Sequence, residues 1–464
     1  MRTGDDVDTR TLAVTHPGEP GYQAATSVFN LAAPPEPAAA AVVRTVREIR
    51  DAIRFAEEEG LSVRVLTTGH AAPAALPMHD ALLLRPEMDG AVEVDPRRRI
   101  ARVPAGTKWG AVARAAAPYG LAVAHGSSPT VGVVGYLLGG GLSFYGRRTG
   151  LAANSVRAVE LVTADGEPRR VDESSDPELF WALRGGGGGF GVVTAVEVDL
   201  FPAVKVVTGA ACWPAAHAPR LLRIWRRWTL EAPAEAATSV RVLNLPRLPE
   251  VPPALSAGPI LSVDGAVLAE TADDVATAER YAEELLGPLR SVAEPVFDTW
   301  QTTAPVSVLD THMDPADPVA VLGDHMLLDE FGDEGVDELL RVIGAGSGSP
   351  LIAAGLRQLG GAYAVPHPKG GALDHLSAPY AYSGGGVPGL TGTAEAITRH
   401  IGTVRAALAP WDTGRTVPTF VETHTQPQGH LSVEQVAAVD RVRERVDPAG
   451  MFRGDIMPSA TALR

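Results

Sequence analysis

The amino-acid sequence predicts an α+β protein with more than one structural unit. A chain of 464 residues exceeds what a single core usually supports, and its 45% hydrophobic content is enough for two or three cores. Helical and strand patterns alternate as far as residue 202, after which separate strands occur among helices. A domain boundary is therefore expected near residue 203.

Local signals define the elements of the first unit. Thr45 and Glu48 fit a capping box, and apolar residues then recur at helical spacing until Gly60 ends the helix. Ser175 and Glu178 are expected to cap a later helix. The other predicted elements are strands at 61–66 and 100–103, a short helix around 109–116, and a hairpin of strands 156–163 and 169–171 with an Asp-Gly turn.

The second unit shows strands and longer amphipathic helices. Ser432 and Gln435 form another predicted capping box at the start of the last helix. The predicted strands are 206–212, 240–245 and 260–263, the helices are 272–286, 393–408 and 433–446, and proline-rich loops occupy 246–258 and 364–368.

Composition excludes several classes of function. With 40 basic and 55 acidic residues the net charge is -15, which opposes nonspecific attraction to nucleic acid or anionic membranes. Cys212 is the only cysteine, so an intrachain disulfide and a cysteine-rich metal site are impossible. No histidine pair has convincing ligand spacing, and no catalytic metal is expected. The acidic start of the chain and the lack of a long apolar run predict a cytoplasmic protein.

Three glycine-rich stretches predict a cofactor site. They lie at 67–70, at 126–135 with its continuation 139–141, and at 185–191, where five consecutive glycines begin the stretch. Backbone N–H groups in such turns can bind phosphate oxygens without a charged side chain. Neither a Gly-Lys-Ser/Thr phosphate loop nor a Rossmann glycine motif is present. Glycine turns can also serve close packing alone, but three of them favour one large ligand.

In sequence, these motifs resemble the vanillyl alcohol oxidase superfamily and, within it, the berberine bridge enzyme-like FAD-linked oxidases. The resemblance rests on ordered segments at 67–70, 129–135, 139–148, 162–166, 176–191 and 447–452. It implies a PCMH-type FAD-binding domain at 1–203, with a two-lobed core from about residue 35. It also implies a substrate-binding domain of antiparallel sheet flanked by helices at 204–410, and a C-terminal segment at 411–464 that returns to the FAD domain.

The resemblance also implies which residues bind FAD. Most of them are glycines and small residues of the three stretches, joined by two strand ends and one C-terminal aromatic residue. They are Leu66, Thr67, Thr68, Gly69, His70, Ala105, Gly106, Gly126, Ser127, Ser128, Thr130, Val131, Gly132, Gly135, Gly139, Gly140, Gly141, Leu142, Gly191, Val192, Val193 and Phe452.

His70 matches the histidine that many relatives bond covalently to flavin. A neutral imidazole is a competent nucleophile, and the bond would raise the flavin potential. Leu66, Thr68 and Ala71 depart from the usual surrounding pattern, and a histidine that only hydrogen-bonds within a turn is the alternative. Relatives with a second tether use a cysteine where this chain has Ser128. FAD attached through His70 alone is therefore expected.

The usual catalytic base is missing from its expected position. Relatives place it in a Tyr-x-Asn segment, which here reads Val417-Pro-Thr419. The nearby substitutes are Tyr136, Tyr145, Glu422 and His424, of which the last three are the predicted catalytic residues. A buried tyrosine or a loop histidine, however, often has no catalytic role. In a separate role, Arg147 and Arg148 could hold an anionic substrate or form structural ion pairs.

The predicted function is that of an FAD-dependent oxidoreductase. It would oxidise an alcohol, amine or C–H group of a bulky small molecule by hydride transfer to flavin N5, with molecular oxygen as the acceptor. The composition resembles that of actinobacterial proteins and suggests secondary metabolism. Because the familiar base is absent, a non-redox cyclase or eliminase with bound flavin is the alternative. A noncatalytic flavin-binding protein is a third possibility.

Overall fold

The structure is a computed structural model that describes residues 11–249, 251–426 and 429–454. The acidic N-terminus and the last ten residues of the predicted C-terminal segment lie outside the described residues. The described chain forms sheets of four, five, two and eight strands. The α+β class predicted from the sequence is confirmed.

The first lobe is a four-stranded sheet in the order β1-β2-β4-β3, in which β2, β4 and β3 run parallel. The predicted capping box of Thr45 and Glu48 is present at the start of α2, and Gly60 ends that helix with a φ of 66°. The elements are β1 (Val14–Thr15), α1 (Tyr22–Thr26), β2 (Ala39–Val43), α2 (Val46–Glu59), β3 (Ser62–Val65) and β4 (Ala81–Pro86).

The second lobe is an antiparallel five-stranded sheet with short helices. The predicted hairpin is confirmed as the pair β8 and β9. The elements are β5 (Glu93–Asp95), β6 (Ile100–Pro104), α3 (Trp109–Ala116), β7 (Leu121–Ala122), α4 (Val133–Leu138), α5 (Gly146–Thr149), β8 (Val156–Val162), β9 (Pro168–Asp172), α6 (Pro177–Ala182), β10 (Val192–Asp199) and β11 (Phe201–Pro202).

One predicted helix cap in this lobe was wrong. Helix α6 is capped by Asp176, whose carboxylate accepts a hydrogen bond from the Leu179 N–H at 3.1 Å. Pro177 occupies the first helical turn, where its missing N–H costs nothing. The hydroxyl of Ser175 instead donates to the carbonyl of Arg170.

An antiparallel sheet of eight strands follows the second lobe. The helix predicted to end at 286 continues to Arg290, because Leu285, Leu286 and Leu289 are all buried along one face. The elements are β12 (Lys205–Pro214), α7 (Ala218–Thr229), β13 (Ala236–Leu243), α8 (Pro253–Ser256), β14 (Ile260–Ala269), α9 (Val275–Arg290), β15 (Phe297–Asp298), β16 (Gln301–Thr303), β17 (Leu322–Leu328), α10 (Asp333–Ile343), β18 (Ala353–Gln358), β19 (Tyr380–Gly386) and α11 (Ala394–Leu408).

The two faces of this sheet have different neighbours. Val240 and Val242 of β13 pack into the core formed with the long helices, whereas Arg241 between them faces the other side. On that other side, Phe144 and Tyr145 of the second lobe pack against the sheet. The sheet therefore lies with its polar face towards the two lobes.

The C-terminal segment returns to both lobes. Helix α12 (Val433–Val446) begins with the predicted capping box of Ser432 and Gln435, and its apolar side joins the core of the second lobe. Beyond it, the Val63 N–H donates to the Met451 carbonyl at 2.8 Å in the first lobe. Among the described residues, no helix combines the length and apolar character needed to cross a membrane.

Candidate cofactor and substrate site

A cavity of about 550 Å³ lies where the two lobes, the eight-stranded sheet and the C-terminal segment meet. Each of the three glycine-rich stretches contributes to its wall. Gly187, Gly188 and Gly189 line it, whereas Gly185 packs so closely on Leu373 that a Cβ would lie 2.4 Å from that side chain. The five-glycine run therefore serves both the cavity wall and close packing.

Backbone N–H groups are available at the first two stretches. In the described part of the chain, the N–H groups of residues 67–70 and 126–128 donate to no protein acceptor. Gly135 opens on the cavity, and a Cβ added there would meet nothing within 4 Å. Free donors and unfilled space suit the pyrophosphate and rings of a dinucleotide. The residues present therefore fit FAD.

The structure brings most of the predicted cofactor residues together. Those that line the cavity are Leu66, Thr67, Thr68, Gly69, His70, Ala105, Gly126, Ser127, Ser128, Val131, Gly132, Gly135, Gly139, Leu142, Gly191, Val193 and Phe452.

Five predicted cofactor residues are not in the lining. Thr130 stands behind His70, and Val192 is paired with Val162 within the sheet of the second lobe. The other three are glycines whose hydrogens face packed neighbours. A Cβ would lie within about 3 Å of Pro86 at Gly106, of Leu373 at Gly140 and of Tyr136 at Gly141.

His70 is held in place from two sides. Its ring stacks on Phe29 with centroids 3.9 Å apart, and its Nε2 lies 3.1 Å from the Thr130 hydroxyl, which is 2.8 Å from that of Ser128. Burial lowers the pKa of His70 to about 4. The imidazole is therefore neutral near pH 7. Because Nε2 is hydrogen-bonded to Thr130, Nδ1 is the ring nitrogen that remains for another contact.

Ser128 lines the cavity at the position of a possible second tether. The only cysteine, Cys212, is buried on β12 within a separate apolar cluster. No group of three or more possible metal ligands occurs among the described residues.

Only one of the three predicted catalytic residues lines the cavity. Glu422 does, and burial together with the charge of Asp324 raises its pKa to about 7. His424 is exposed outside the lining. Tyr145 is buried between the second lobe and the sheet, and its hydroxyl donates to the Pro305 carbonyl at 3.0 Å. Neither His424 nor Tyr145 lines the cavity.

The two arginines considered as anion ligands also lie outside the lining. Arg147 donates to the carbonyls of Ala236 and Ala232, each at 2.8 Å, and thereby joins the second lobe to the sheet. Arg148 pairs with Glu270 at 2.9 Å. Both arginines have structural partners.

The sheet provides a polar wall that sequence patterns did not identify. Asp264 is fully buried and pairs with Arg241 at 2.9 Å and with His312 at 3.1 Å. Asp314 accepts a hydrogen bond from Ser127 at 2.7 Å. The alternation of Ser239, Arg241 and Leu243 along one face of β13 was the available signal, but it does not reveal which face meets the cavity.

Comparisons with known proteins agree with this arrangement. Residues 37–172 match the FAD binding domain family. Over 201 residues the chain is 31% identical to (R)-6-hydroxynicotine oxidase of Paenarthrobacter nicotinovorans, which covers 43% of this chain and 44% of the relative. Over 226 residues it is 33% identical to xylooligosaccharide oxidase of Thermothelomyces thermophilus, covering 47% and 45%. The matches thus span less than half of these curated relatives.

Solved structures resemble the whole chain. The 6-hydroxy-D-nicotine oxidase of Arthrobacter nicotinovorans superposes with a TM-score of 0.80 at 22% identity, covering 95% of this chain and 96% of that one. The berberine bridge enzyme of Eschscholzia californica gives 0.77 at 18% identity, covering 97% of both chains. At these identities the likeness shows the fold.

The glycine-lined cavity therefore lies between two lobes and a covering sheet, and part of both lobes falls within the matched FAD binding domain. Residues 37–172 thus match an FAD binding domain, and the fold of the whole chain is similar to that of solved FAD oxidases such as berberine bridge enzyme.

Proposed function

We propose that this protein is an FAD-dependent oxidoreductase that oxidises an alcohol, amine or C–H group of a bulky small molecule. One observation supports this proposal. The same cavity is lined by backbone N–H groups that have no protein acceptor and by the carboxyl group of Glu422, whose pKa is raised. The first set suits a dinucleotide, and the second suits proton transfer from a substrate.

The glycine stretches of both lobes would hold FAD. The N–H groups of residues 67–70 and 126–128 would bind the pyrophosphate, and Gly135 would leave room for the cofactor. When bound, FAD supplies a two-electron acceptor that takes a hydride at N5. The protein would supply orientation, exclusion of water and the acceptor for the substrate proton.

Glu422 is the proposed acceptor for that proton. General bases work best when their pKa lies near the working pH. Burial raises the pKa of the Glu422 carboxyl group to about 7. It lies three residues after Thr419 in the segment where relatives carry the tyrosine. In this chain that tyrosine position is Val417, which is fully buried. A carboxylate would thus perform the role of the missing phenol.

A covalent bond between His70 and the flavin belongs to the same proposal. The neutral ring and the hydrogen bond between its Nε2 and Thr130 favour attack by Nδ1. The expected result is that acid precipitation leaves the yellow colour with wild-type protein and releases it from His70→Ala. Thr130→Val should slow attachment during reconstitution with FAD, whereas Thr130→Ser should restore it. Free flavin from wild-type protein would contradict the tether alone.

The redox function is tested by anaerobic spectroscopy. A panel of alcohols, amines and aromatic acids is added to the purified yellow protein without oxygen, and a substrate should bleach the visible flavin absorption. Readmitted air restores the colour rapidly if oxygen is the physiological acceptor, whereas restoration only by an artificial dye indicates a dehydrogenase. Product formation without bleaching would instead establish the non-redox cyclase or eliminase.

A further inference from the structure

We infer that the substrate is an organic carboxylate and that Arg357 on strand β18 binds its carboxyl group. This inference rests on the proposed function, because it takes the cavity beside the FAD loops as the substrate site. It adds the chemical class of the substrate and a binding residue for it.

Arg357 is a buried cation without an anionic partner. Its exposed fraction is only 8%, and it lines the cavity. Among the described residues, its side chain forms no ion pair within 4.0 Å and no hydrogen bond to protein, and its contacts are with aromatic rings. Its guanidinium lies over the ring of Phe144, 4.6 Å from the centroid, and 5.7 Å from that of Phe420. The two rings offset only part of the cost of removing a guanidinium from water.

The nearby carboxylates have other partners. Asp264 is shared by Arg241 and His312, and Asp314 accepts the Ser127 hydrogen bond. The charge of Arg357 does help to lower the pKa of Asp314, but the two groups form no ion pair. Arg357 is thus a cation of this wall that has no carboxylate within ion-pair distance among the described residues.

The wall beside Arg357 has space for the body of a ligand. On the same face of the sheet, β18, β19 and β17 present small residues to the cavity, namely Ala353, Ser383, Gly385 and Gly323. These small residues form the floor of the cavity. Glu422 borders this floor, since a Cβ added at Gly323 would lie 3.2 Å from the Cγ of Glu422. A flat or extended carbon body could therefore lie on the floor with its carboxylate at Arg357.

The chemistry of the guanidinium points to a carboxylate. Its planar fork donates two parallel hydrogen bonds to the two oxygens of such a group. A ligand that supplies them would offset the desolvation of Arg357, whereas a neutral analogue would leave the cation buried and unpaired. The preference between acid and amide of the same shape is consequently the property to measure.

Ligand binding to the flavin-loaded protein tests the inference. Benzoate and cinnamate are titrated against benzamide and cinnamamide in chloride-free buffer, and binding is followed by the change in the flavin spectrum. We expect each acid to bind wild-type protein at least tenfold more tightly than its amide. Arg357→Gln should abolish the preference, Arg357→Lys should retain part of it, and Arg148→Gln should leave it unchanged, since Arg148 pairs with Glu270 away from the cavity.

Two further measurements separate the alternatives. Wild-type Tm should rise with benzoate but not with benzamide, and Arg357→Gln without ligand should be at least as stable as wild type, because an unpaired buried charge has been removed. Equal affinity for acid and amide would overturn the inference. The inference would also be overturned if Arg357→Gln changed the flavin reduction potential but kept the preference for acids. A protein purified without flavin would instead refute the proposed function.

Discussion

At the scale of single residues, Glu422 has an environment that favours its neutral form. Burial is the main cause of its raised pKa, and the negative charge of Asp324 adds to it. Asp324 itself forms an ion pair with Arg405 at 2.6 Å, whereas Glu422 has no ion pair among the described residues. Burial raises the pKa of Asp324 too, but the ion pair with Arg405 opposes that rise.

The first prediction concerns Glu422→Gln. Glutamine keeps the shape but cannot accept a proton, so kcat should fall by about 10²–10⁴. In wild-type protein kcat should rise with pH through about 7 as the carboxyl ionises, and the variant should lose this rise. Steady-state rates between pH 5 and 9 on a substrate found by flavin bleaching provide the measurement.

A second readout measures the protonation of this carboxyl independently of catalysis. The pKa of Glu422 in the folded protein lies above its ordinary value of 4.5, so the folded protein holds the proton more tightly than the unfolded chain does. The resulting stabilisation is complete below pH 4.5 and is lost as pH rises through about 7. Glu422→Gln should abolish this contribution in denaturant unfolding. A wild-type rate profile that is flat across this range would contradict the assignment.

At the scale of elements, the glycines of the two lobes divide into two kinds. Gly185 and Gly141 have positive φ values of 91° and 79° and hydrogens that face packed side chains. Gly135 lies inside helix α4, where any residue can adopt the backbone conformation, and its hydrogens face the cavity. The fold does not require glycine at this position, and the proposed FAD site would supply a reason for it.

The second prediction is that Gly135→Ala weakens FAD binding without weakening the fold. Alanine in a helix interior is about 0.5–1 kcal/mol better than glycine, and its Cβ meets no protein atom within 4 Å. Gly402→Ala in α11 is the matched control, because a Cβ there also has open space but does not line the cavity. Both apoproteins should gain stability in urea.

Only Gly135→Ala should lower the flavin content, measured as the ratio of visible to ultraviolet absorbance after purification. Normal flavin content in this variant would show that α4 does not approach the cofactor. A loss in both variants would show that the readout reports folding.

The elements also show what a sequence can predict. The capping boxes at Thr45 and Ser432 were found at their predicted positions, since a cap depends on residues three positions apart. The resemblance likewise gave seventeen of the cavity-lining positions, because FAD motifs are contiguous in the chain. Arg357 was missed because its neighbours Phe144 and Phe420 come from segments far away in sequence. Tyr145 was proposed as catalytic for the converse reason, as proximity to Gly141 in sequence did not reveal that its side chain turns towards Pro305.

At the scale of the whole molecule, the cavity is a junction between parts of the chain that are distant in sequence. Phe452 lies in the cavity wall, and its N–H donates a hydrogen bond to the Asp447 carboxylate at 2.6 Å. The adjacent Met451 carbonyl accepts a hydrogen bond from the Val63 N–H of the first lobe. The core of the second lobe includes Leu327 from the sheet and Val439 from the last helix. A ligand that fills the cavity would contact every one of these parts.

The last prediction follows from this junction. In His70→Ala, FAD should bind reversibly, so the variant can be freed of flavin and titrated. A ligand present at a hundred times its Kd adds about 2.7 kcal/mol to the free energy of unfolding. Because the cavity joins both lobes to the sheet, Tm should rise with FAD concentration in one transition, detected alike by tryptophan fluorescence from buried Trp213 and Trp225 and by far-UV circular dichroism.

Phe452→Ala in the same background tests the role of the C-terminal segment. Truncation of a buried phenylalanine costs about 3–5 kcal/mol, so Tm without FAD should fall. Because Phe452 also lines the cavity, a higher FAD concentration should be needed for the same rise in Tm. Val433→Ala is the control, since Val433 is 74% exposed at the start of α12 and should change neither quantity. Two separate transitions, of which FAD shifts only one, would show that the sheet unfolds independently of the lobes and that the cavity does not couple them.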